Sequence, residues 1–586
     1  MSIFQKLNWF FLKEKKRYLL GILGLVLVAI LQVFPPRIIG IVIDEINQPN
    51  IRTQTIFFWT FILLMTGVGQ YLFRYIWRMN IWGGAALLEK TLRQRLFNHF
   101  TKMDRLFYQE HRTGDLMAHA TNDLTAIQNV AGLGILTFAD SFITGGATII
   151  AMIVFVDWRL TLLALLPLPL LAWGSKVLGD QLHDAFTESQ KAFSTINDKT
   201  QESITGIKVI KTFGQEKEDS QDFTEKIQQA IQKNKRVNFL DAMFDPLITV
   251  IVGLSYMITI IVGGSFILRQ TLTIGQLISF ISYIGMLIWP MFAIGRLFNV
   301  LERGNASYDR VASLLKKETT ILEHPQAIKT AAAGDIDFDI HKFRYSGEAA
   351  AVLTDIKFHI FEGETLGIVG RTGAGKTTLL RLLMREADNY DGQIMFGGID
   401  IRRYALQSLF DAIGYVPQAH FLFSLSIREN IRFANPSFSQ EIVEKAATLA
   451  AIHSDIEDLP LGYDTLVGER GVSLSGGQKQ RISIARALVL DPQLLILDDA
   501  LSAVDAKTEA AILQNIKRHR KSGSTIIAAH RLSSVMHADE IIVLDEGEII
   551  ERGKHGQLLE KNGWYKKMWD RQQLEAKVEG EDLLGD

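Results

Sequence analysis

Six apolar stretches constrain this chain of 586 residues more than any other feature. Crossing a bilayer takes about 20 mostly apolar residues of helix, because every backbone N–H and C=O must be satisfied within the segment. Residues 18–36, 53–73, 246–268 and 270–295 carry no Asp, Glu, Lys or Arg, and two shorter runs, 141–156 and 160–175, flank a tight turn at Asp157, Trp158 and Arg159. Buried helices of a large soluble protein rarely give six such runs, so six membrane helices are expected. Lys13, Lys15, Lys16 and Arg17 precede the first run in the manner of a signal peptide. No small-residue cleavage site is evident and more apolar runs follow, so the run reads as a first membrane helix with its basic end in the cytoplasm.

The spacing of the runs adds a second constraint. Runs one and two, three and four, and five and six are joined by short connections, whereas polar, helix-like segments at 74–123 and 176–245 separate the pairs. With six crossings both long segments and the C-terminal half lie on the cytoplasmic side, as helical extensions reaching below the bilayer. Lys and Arg number 62 against 64 Asp and Glu, a net charge of −2 that argues against a nucleic-acid partner. The chain has no cysteine, which excludes disulfides, thiolate metal sites and cysteine nucleophiles.

Near 301–333 the apolar runs stop and charge rises, with Ala331, Ala332, Ala333 and Gly334 marking a linker end. Short apolar strands at 365–369 and 494–497 then alternate with helix-like stretches. The expected fold is multi-domain: an all-α membrane domain of six helices over 1–320, an α/β phosphate-loop domain over 321–575, and an acidic tail at 576–586.

Gly370, Arg371, Thr372, Gly373, Ala374, Gly375, Lys376, Thr377 and Thr378 fit the pattern of glycine, four residues, then Gly-Lys-Thr, placed between a strand and a helix. The glycines let backbone N–H groups curl around phosphates, and the helix start adds partial positive charge. Lys376 would reach the β and γ phosphates and the Thr377 hydroxyl would ligate magnesium. The strand ending in Asp498 supplies the carboxylate expected to share that ion.

Leu474, Ser475, Gly476, Gly477 and Gln478, about twenty residues before Asp498, resemble the signature sequence of ATP-binding cassette (ABC) transporters. In that family the signature caps the γ-phosphate of ATP held by the other subunit, and Ser475 with two glycines before a helix makes an anion-binding helix start. Further pieces follow the family's order. Tyr345 resembles the residue that stacks on adenine, Gln418 the Q-loop residue for magnesium and coupling, Ser502 to Asp505 the D-loop, and His530 the switch histidine. Residues 465–470 resemble an exporter-specific segment. Six spans followed by a cassette is the layout of type IV exporters, and the resemblance covers essentially the whole chain. It implies an ATPase using ATP and Mg2+, a bacterial cytoplasmic-membrane location, and coupling helices within 112–123 and 211–216.

One position departs from the family. After Asp498 a glutamate normally acts on the attacking water, and this chain has Asp499. Aspartate is one methylene shorter, about 1.5 Å of reach, and a misplacement of roughly 1 Å can cost about a hundredfold in rate. The expectation is a site that holds ATP but hydrolyses it slowly; a shifted backbone or an extra water would instead restore it. A homodimer would carry the handicap twice. A heterodimer, whose second half-transporter keeps the glutamate, would carry it once, as in the smaller subunit of bacterial heterodimeric multidrug exporters, the reading adopted here.

The transported molecule is less constrained. Aromatic and methionine side chains such as Trp289, Met291 and Phe292 suit a cavity for amphipathic small molecules, or else face lipid and neighbouring helices. Asp140 lines an aqueous cavity or pairs with a cation at headgroup level, and Arg296 lines the cavity or sits on the cytoplasmic extension. A homodimeric lipid or peptide exporter, and an ATP-gated channel or regulator, stand as alternatives.

Overall fold

The computed structural model describes residues 3–47, 53–345, 348, 350–468, 474–520 and 522–579, with backbone alone at 172, 292, 294–296 and 576–579. The chain falls into two compact units, 1–102 with 111–317 and 103–110 with 318–586.

Among the described residues, the first unit holds six helices long and apolar enough to cross a membrane: Lys15–Ile46, Thr53–Phe100, Thr113–Phe155, Trp158–Thr205, Glu216–Leu268 and, at the start of a longer helix, Ile274–Met291. Their ends obey local chemistry. Asp157 accepts from the N–H groups of Arg159 and Leu160 (2.7 and 3.0 Å), so the fourth helix starts immediately after the third. Thr273 and Gln276 form a reciprocal capping box that starts the sixth.

Pro35 and Pro36 lie inside the first helix. Pro35 has no N–H to offer the Leu31 carbonyl four residues back. The Gln70 amide from the second helix donates to that carbonyl instead at 3.2 Å. On the sixth helix, the Tyr283 hydroxyl donates to the Val33 carbonyl at 2.7 Å and the Ser279 hydroxyl to that of Pro36 at 2.8 Å. In lipid, where no water can serve the freed Leu31 carbonyl, the Gln70 amide makes Pro35 tolerable, while Tyr283 and Ser279 tie the sixth helix to the same stretch. The same two helices meet closely one turn further on: a Cβ on Gly275 would lie 1.9 Å from the Gly40 carbonyl oxygen.

Below the apolar spans, Ile3, Leu7 and Phe10 bury against Leu88, Leu92, Leu96, Leu124 and Val311. Asp123, nearly buried, accepts from Ser307 at 2.8 Å and from Arg310, and faces His119 at 2.6 Å.

Residues 112–123 do not form the short helix expected there; from Thr113 they open the third long helix. The separate short helix of that connection is Arg105–Glu110, which groups with the second unit although it was assigned to the first domain from sequence. Asp104 explains this placement. One carboxylate oxygen accepts from the Phe107 N–H at 3.1 Å and starts the helix, while the other accepts from Thr319 and from the Thr320 N–H and hydroxyl. Burial alone would raise the Asp104 carboxyl, but those hydrogen bonds outweigh it and hold it below its ordinary range. In the other long connection, 211–216 straddles the end of helix Ile207–Phe213, the left-handed Gly214 and the start of the fifth helix.

The second unit is built on two sheets. An antiparallel one has the order β2 (Leu353–Ile360), β1 (Ile336–Phe343), β4 (Asp391–Phe396), β5 (Ile399–Asp400). The other runs β10 (Glu548–Gly553), β9 (Glu540–Asp545), β3 (Thr365–Gly370), β8 (Ser524–Ala528), β7 (Leu494–Asp498), β6 (Ile413–Val416), and is parallel from β9 to β6. All residues of β7 and β8 are buried, as expected of central parallel strands covered on both faces. Ala528 pairs with both Ile368 and Asp498, so β3, β7 and β8 end side by side and their following loops share one edge.

Candidate nucleotide site

Crevices outside the carboxyl ends of parallel strands are where such sheets bind ligands, and Gly370 to Thr378, Gln418, Asp498, Asp499 and His530 collect at this edge. Strand β3 ends in Gly370, and the loop after it reaches helix Lys376–Leu383 through Gly373 and Gly375, at φ 85° and 101°. A side chain at Gly370 is excluded by the Leu544 carbonyl oxygen, 2.1 Å from where a Cβ would sit. Arg371, Thr372 and Gly373 are exposed and Ala374 is buried.

Lys376 is buried, and its ammonium donates to the carbonyls of Gly370 and Arg371 at 2.8 and 3.1 Å. Burial lowers its pKa, partly countered by the Asp499 and Asp498 carboxylates. A buried ammonium held mainly by loop carbonyls, at a helix start, fits a phosphate group.

Thr377 donates to one Asp498 oxygen at 3.2 Å, and the Tyr415 hydroxyl to the other at 3.3 Å. Burial raises the Asp498 carboxyl above its ordinary range, with the neighbouring Asp499 adding to the effect. Burial likewise pushes the Tyr415 phenol upward, helped by Asp498. A hydroxyl and a carboxylate in contact are hard oxygen donors that fit Mg2+, which takes few protein ligands beside phosphates.

Asp499 takes a positive φ of 50°, its N–H donates to the Ala528 carbonyl at 2.7 Å, and the Gln418 amide donates to its carboxylate at 3.3 Å. Gln418 and Asp499, distant in sequence, therefore meet. Tyr345 packs edge-on against Phe343, and its hydroxyl donates to Thr378 at 3.1 Å.

Ser475 accepts from the Gln478 N–H at 3.2 Å while the Gln478 side chain accepts from the Ser475 N–H at 3.1 Å, starting helix Gly476–Leu488. Ser475 and Gly476 are exposed and Gly477 is half-buried. Part of the exporter-like segment, 469 and 470, lies outside the described residues. His530 is exposed, two residues beyond the end of β8.

Two contributors escape a motif reading. Tyr415 carries no signal beyond a polar-tipped aromatic three residues before Gln418. Gln480, fully buried, accepts from the Ala503 N–H at 2.9 Å and donates to the Asp499 carbonyl at 3.4 Å. It thereby ties the signature helix to the segment after Asp498, and only its place in the signature helix hints at this.

The membrane residues are not gathered in the same way. Asp140 is half-buried in a π-turn, Asp140–Thr144, of the third long helix. Trp289 is exposed and Met291 partly buried against the cluster that includes Phe280 and Leu287. The side chains of Phe292 and Arg296 lie outside the described residues.

Comparison with known proteins agrees with this arrangement. Residues 18–291 match the ABC transporter transmembrane region family, and residues 353–502 match the ABC transporter family. The chain is 44% identical over 579 residues to a probable multidrug resistance ABC transporter ATP-binding/permease protein, YheI, of Bacillus subtilis, covering 99% of each chain. It is 42% identical to the multidrug resistance-like ATP-binding protein MdlA of Escherichia coli, covering 99% of this chain and 98% of that one. Among solved structures, a bacterial Atm1-family ABC exporter with ATP bound superposes with a TM-score of 0.78 at 26% identity, over 95% of this chain and 99% of the other. A membrane domain of six apolar helices joined to a phosphate-loop domain on one polypeptide thus places the chain in the ABC transporter family, as an ATPase coupled to transport.

Proposed function

We propose that this chain is one half of a heterodimeric exporter of amphipathic small molecules in a bacterial cytoplasmic membrane, and that its own phosphate-loop site holds ATP but turns it over slowly. Similarity to proteins named for multidrug resistance supports the substrate class. Tyr345 stacks on adenine, while Lys376 and the N–H groups of 370–378 hold the phosphates. Thr377, Asp498 and Gln418 hold Mg2+, which when bound neutralises phosphate charge. Ser475, Gly476, Gly477 and Gln478 complete the partner's site, and His530 faces the terminal phosphate of this chain's own.

The observation that carries the reading is Asp499. Its backbone is pinned by Ala528 on one side and Gln480 on the other. A carboxylate about 1.5 Å short therefore has little freedom to shift toward a water that a glutamate would reach. The partner contributes the full-length glutamate to the competent site.

The test is ATP hydrolysis by the purified chain in lipid, beside Asp499→Glu. A nearly inactive wild type and a gain of about a hundredfold in the variant, the lower end of general-base contributions, support the reading. Ordinary turnover by the wild-type chain alone would defeat it in favour of a homodimer.

A further inference from the structure

The loop that carries His530 is held by a residue from the other end of the domain. Helix Trp564–Glu579 is anchored at its start, where the N–H groups of Trp564 and Tyr565 donate to the Glu551 carboxylate and the buried Tyr565 hydroxyl meets His555 at 2.8 Å. Trp564, Met568 and Trp569 pack against the hydrophobic core around β7. About two turns along this fixed helix, the Gln572 amide nitrogen donates to the His530 carbonyl at 2.8 Å, and its oxygen accepts from the Leu532 N–H at 3.0 Å. Only this amide orientation satisfies both bonds, since a carbonyl cannot donate and an N–H cannot accept.

Both bonded groups need an outside partner. Leu532 opens the short helical turn Leu532–Ser534, whose first N–H groups have no partner within the turn. Arg531, between the two pinned groups, points to the opposite side, donating to the Val504 carbonyl at 3.2 Å and facing the buried Glu509 at 3.7 Å. One residue before His530, Ala529 donates to the Ile368 carbonyl in the strand that leads into the phosphate loop. The backbone around His530 is thus fixed by the sheet, by the segment after Asp499 and by Gln572. The histidine ring itself is exposed at the edge it shares with Lys376 and Asp498.

We infer that Gln572 is a positioning residue for His530: its amide sets the backbone from which the imidazole reaches the terminal phosphate, so the C-terminal helix governs ATP recognition. The inference rests on the proposed role of His530. The difference between ATP and ADP is the phosphate this histidine would touch, so the effect belongs in the ratio of the two affinities and needs no hydrolysis.

The experiment measures equilibrium binding of Mg-ATP and Mg-ADP to the full chain in lipid nanodiscs, for wild type, His530→Ala, Gln572→Ala and the double variant. His530→Ala is expected to weaken ATP about tenfold or more, the worth of a hydrogen bond to a charged group, Gln572→Ala to weaken it by a smaller factor, and both to leave ADP unchanged. The double variant is expected to bind ATP no more weakly than His530→Ala alone, because the two act as one unit. Gln572→Glu, which keeps the acceptor for Leu532 but loses the donor for His530, should fall between wild type and Gln572→Ala, and serves if the alanine variant does not fold. The inference is overturned if Gln572 variants leave the ratio at its wild-type value, weaken ATP and ADP alike, or add in full to His530→Ala. If His530→Ala itself leaves the ratio unchanged, the role of His530 fails first and the inference with it, an outcome visible without touching Gln572.

Discussion

Asp498 shows how a single residue is stressed by its task. A carboxyl raised by burial stabilises the fold below the ordinary carboxylate range, and that contribution is lost as pH rises through its folded-state pKa. In the nucleotide-free protein its ionised form is therefore poorly solvated and lies beside Asp499. Asp498→Asn should raise the melting temperature of the nucleotide-free chain by about 2–4 °C at pH 7. The gap should narrow as pH falls toward the range where the wild-type carboxyl protonates. A melting temperature unchanged or lowered at neutral pH would contradict this. At this scale the phosphate loop was legible because its chemistry is local: Gly370 to Thr378 are consecutive, and spacing alone sets their geometry. Tyr415, Gln480 and Gln572 were not, since each acts on a backbone or carboxylate that only folding brings near.

Helices one and six depend on a crossing that side-chain patterns do not reveal. Gly40 and Gly275 allow backbone contact, and Asp44 spans the crossing by accepting from the Gly275 N–H at 2.8 Å and from Thr273 at 2.6 Å. Gly275→Ala would drive a methyl into the Gly40 carbonyl, which belongs to backbone and cannot rotate away. Overpacking of this kind costs about 1–3 kcal/mol, so the variant should melt below wild type, measured on detergent-purified protein. A wild-type melting curve would mean the helices separate freely. Apolar runs announced the elements themselves, and the polar, helix-like segments between them announced their cytoplasmic extensions. The spans continue as helices of up to 53 residues, because polar stretches such as 216–245 are long enough and free enough of Gly and Pro to stay helical. Misplacement of the first short connection helix has a non-local cause. Asp104 starts Arg105–Glu110 through the nearby Phe107 N–H, but its other oxygen ties that helix to 319–320, more than two hundred residues away, which no local pattern encodes.

For the molecule as a whole, six crossings with a basic N-terminal end place 101–112 and 206–215 in the cytoplasm and 269–273 outside. The chain has no cysteine, so this is directly testable. A single Arg269→Cys should react with an impermeant maleimide on intact cells, whereas Gln215→Cys should react only after permeabilisation; the reverse pattern would invert the topology. By itself the sequence determined that the chain spans a membrane six times, carries a phosphate-loop domain, and belongs with ATP-driven transporters. The spans and the phosphate loop follow from composition over about 20 residues and from a motif within ten, both local properties, and the place among transporters from the resemblance of the ordered motifs between Tyr345 and His530 to that family. Tertiary structure alone decided which side chain donates to the carbonyl freed by Pro35, where the first connection helix belongs, and what surrounds Asp499 and His530. Those answers depend on hydrogen bonds between residues far apart in sequence, and such pairings exist only once strands β3, β7 and β8 lie in register and the helices have packed.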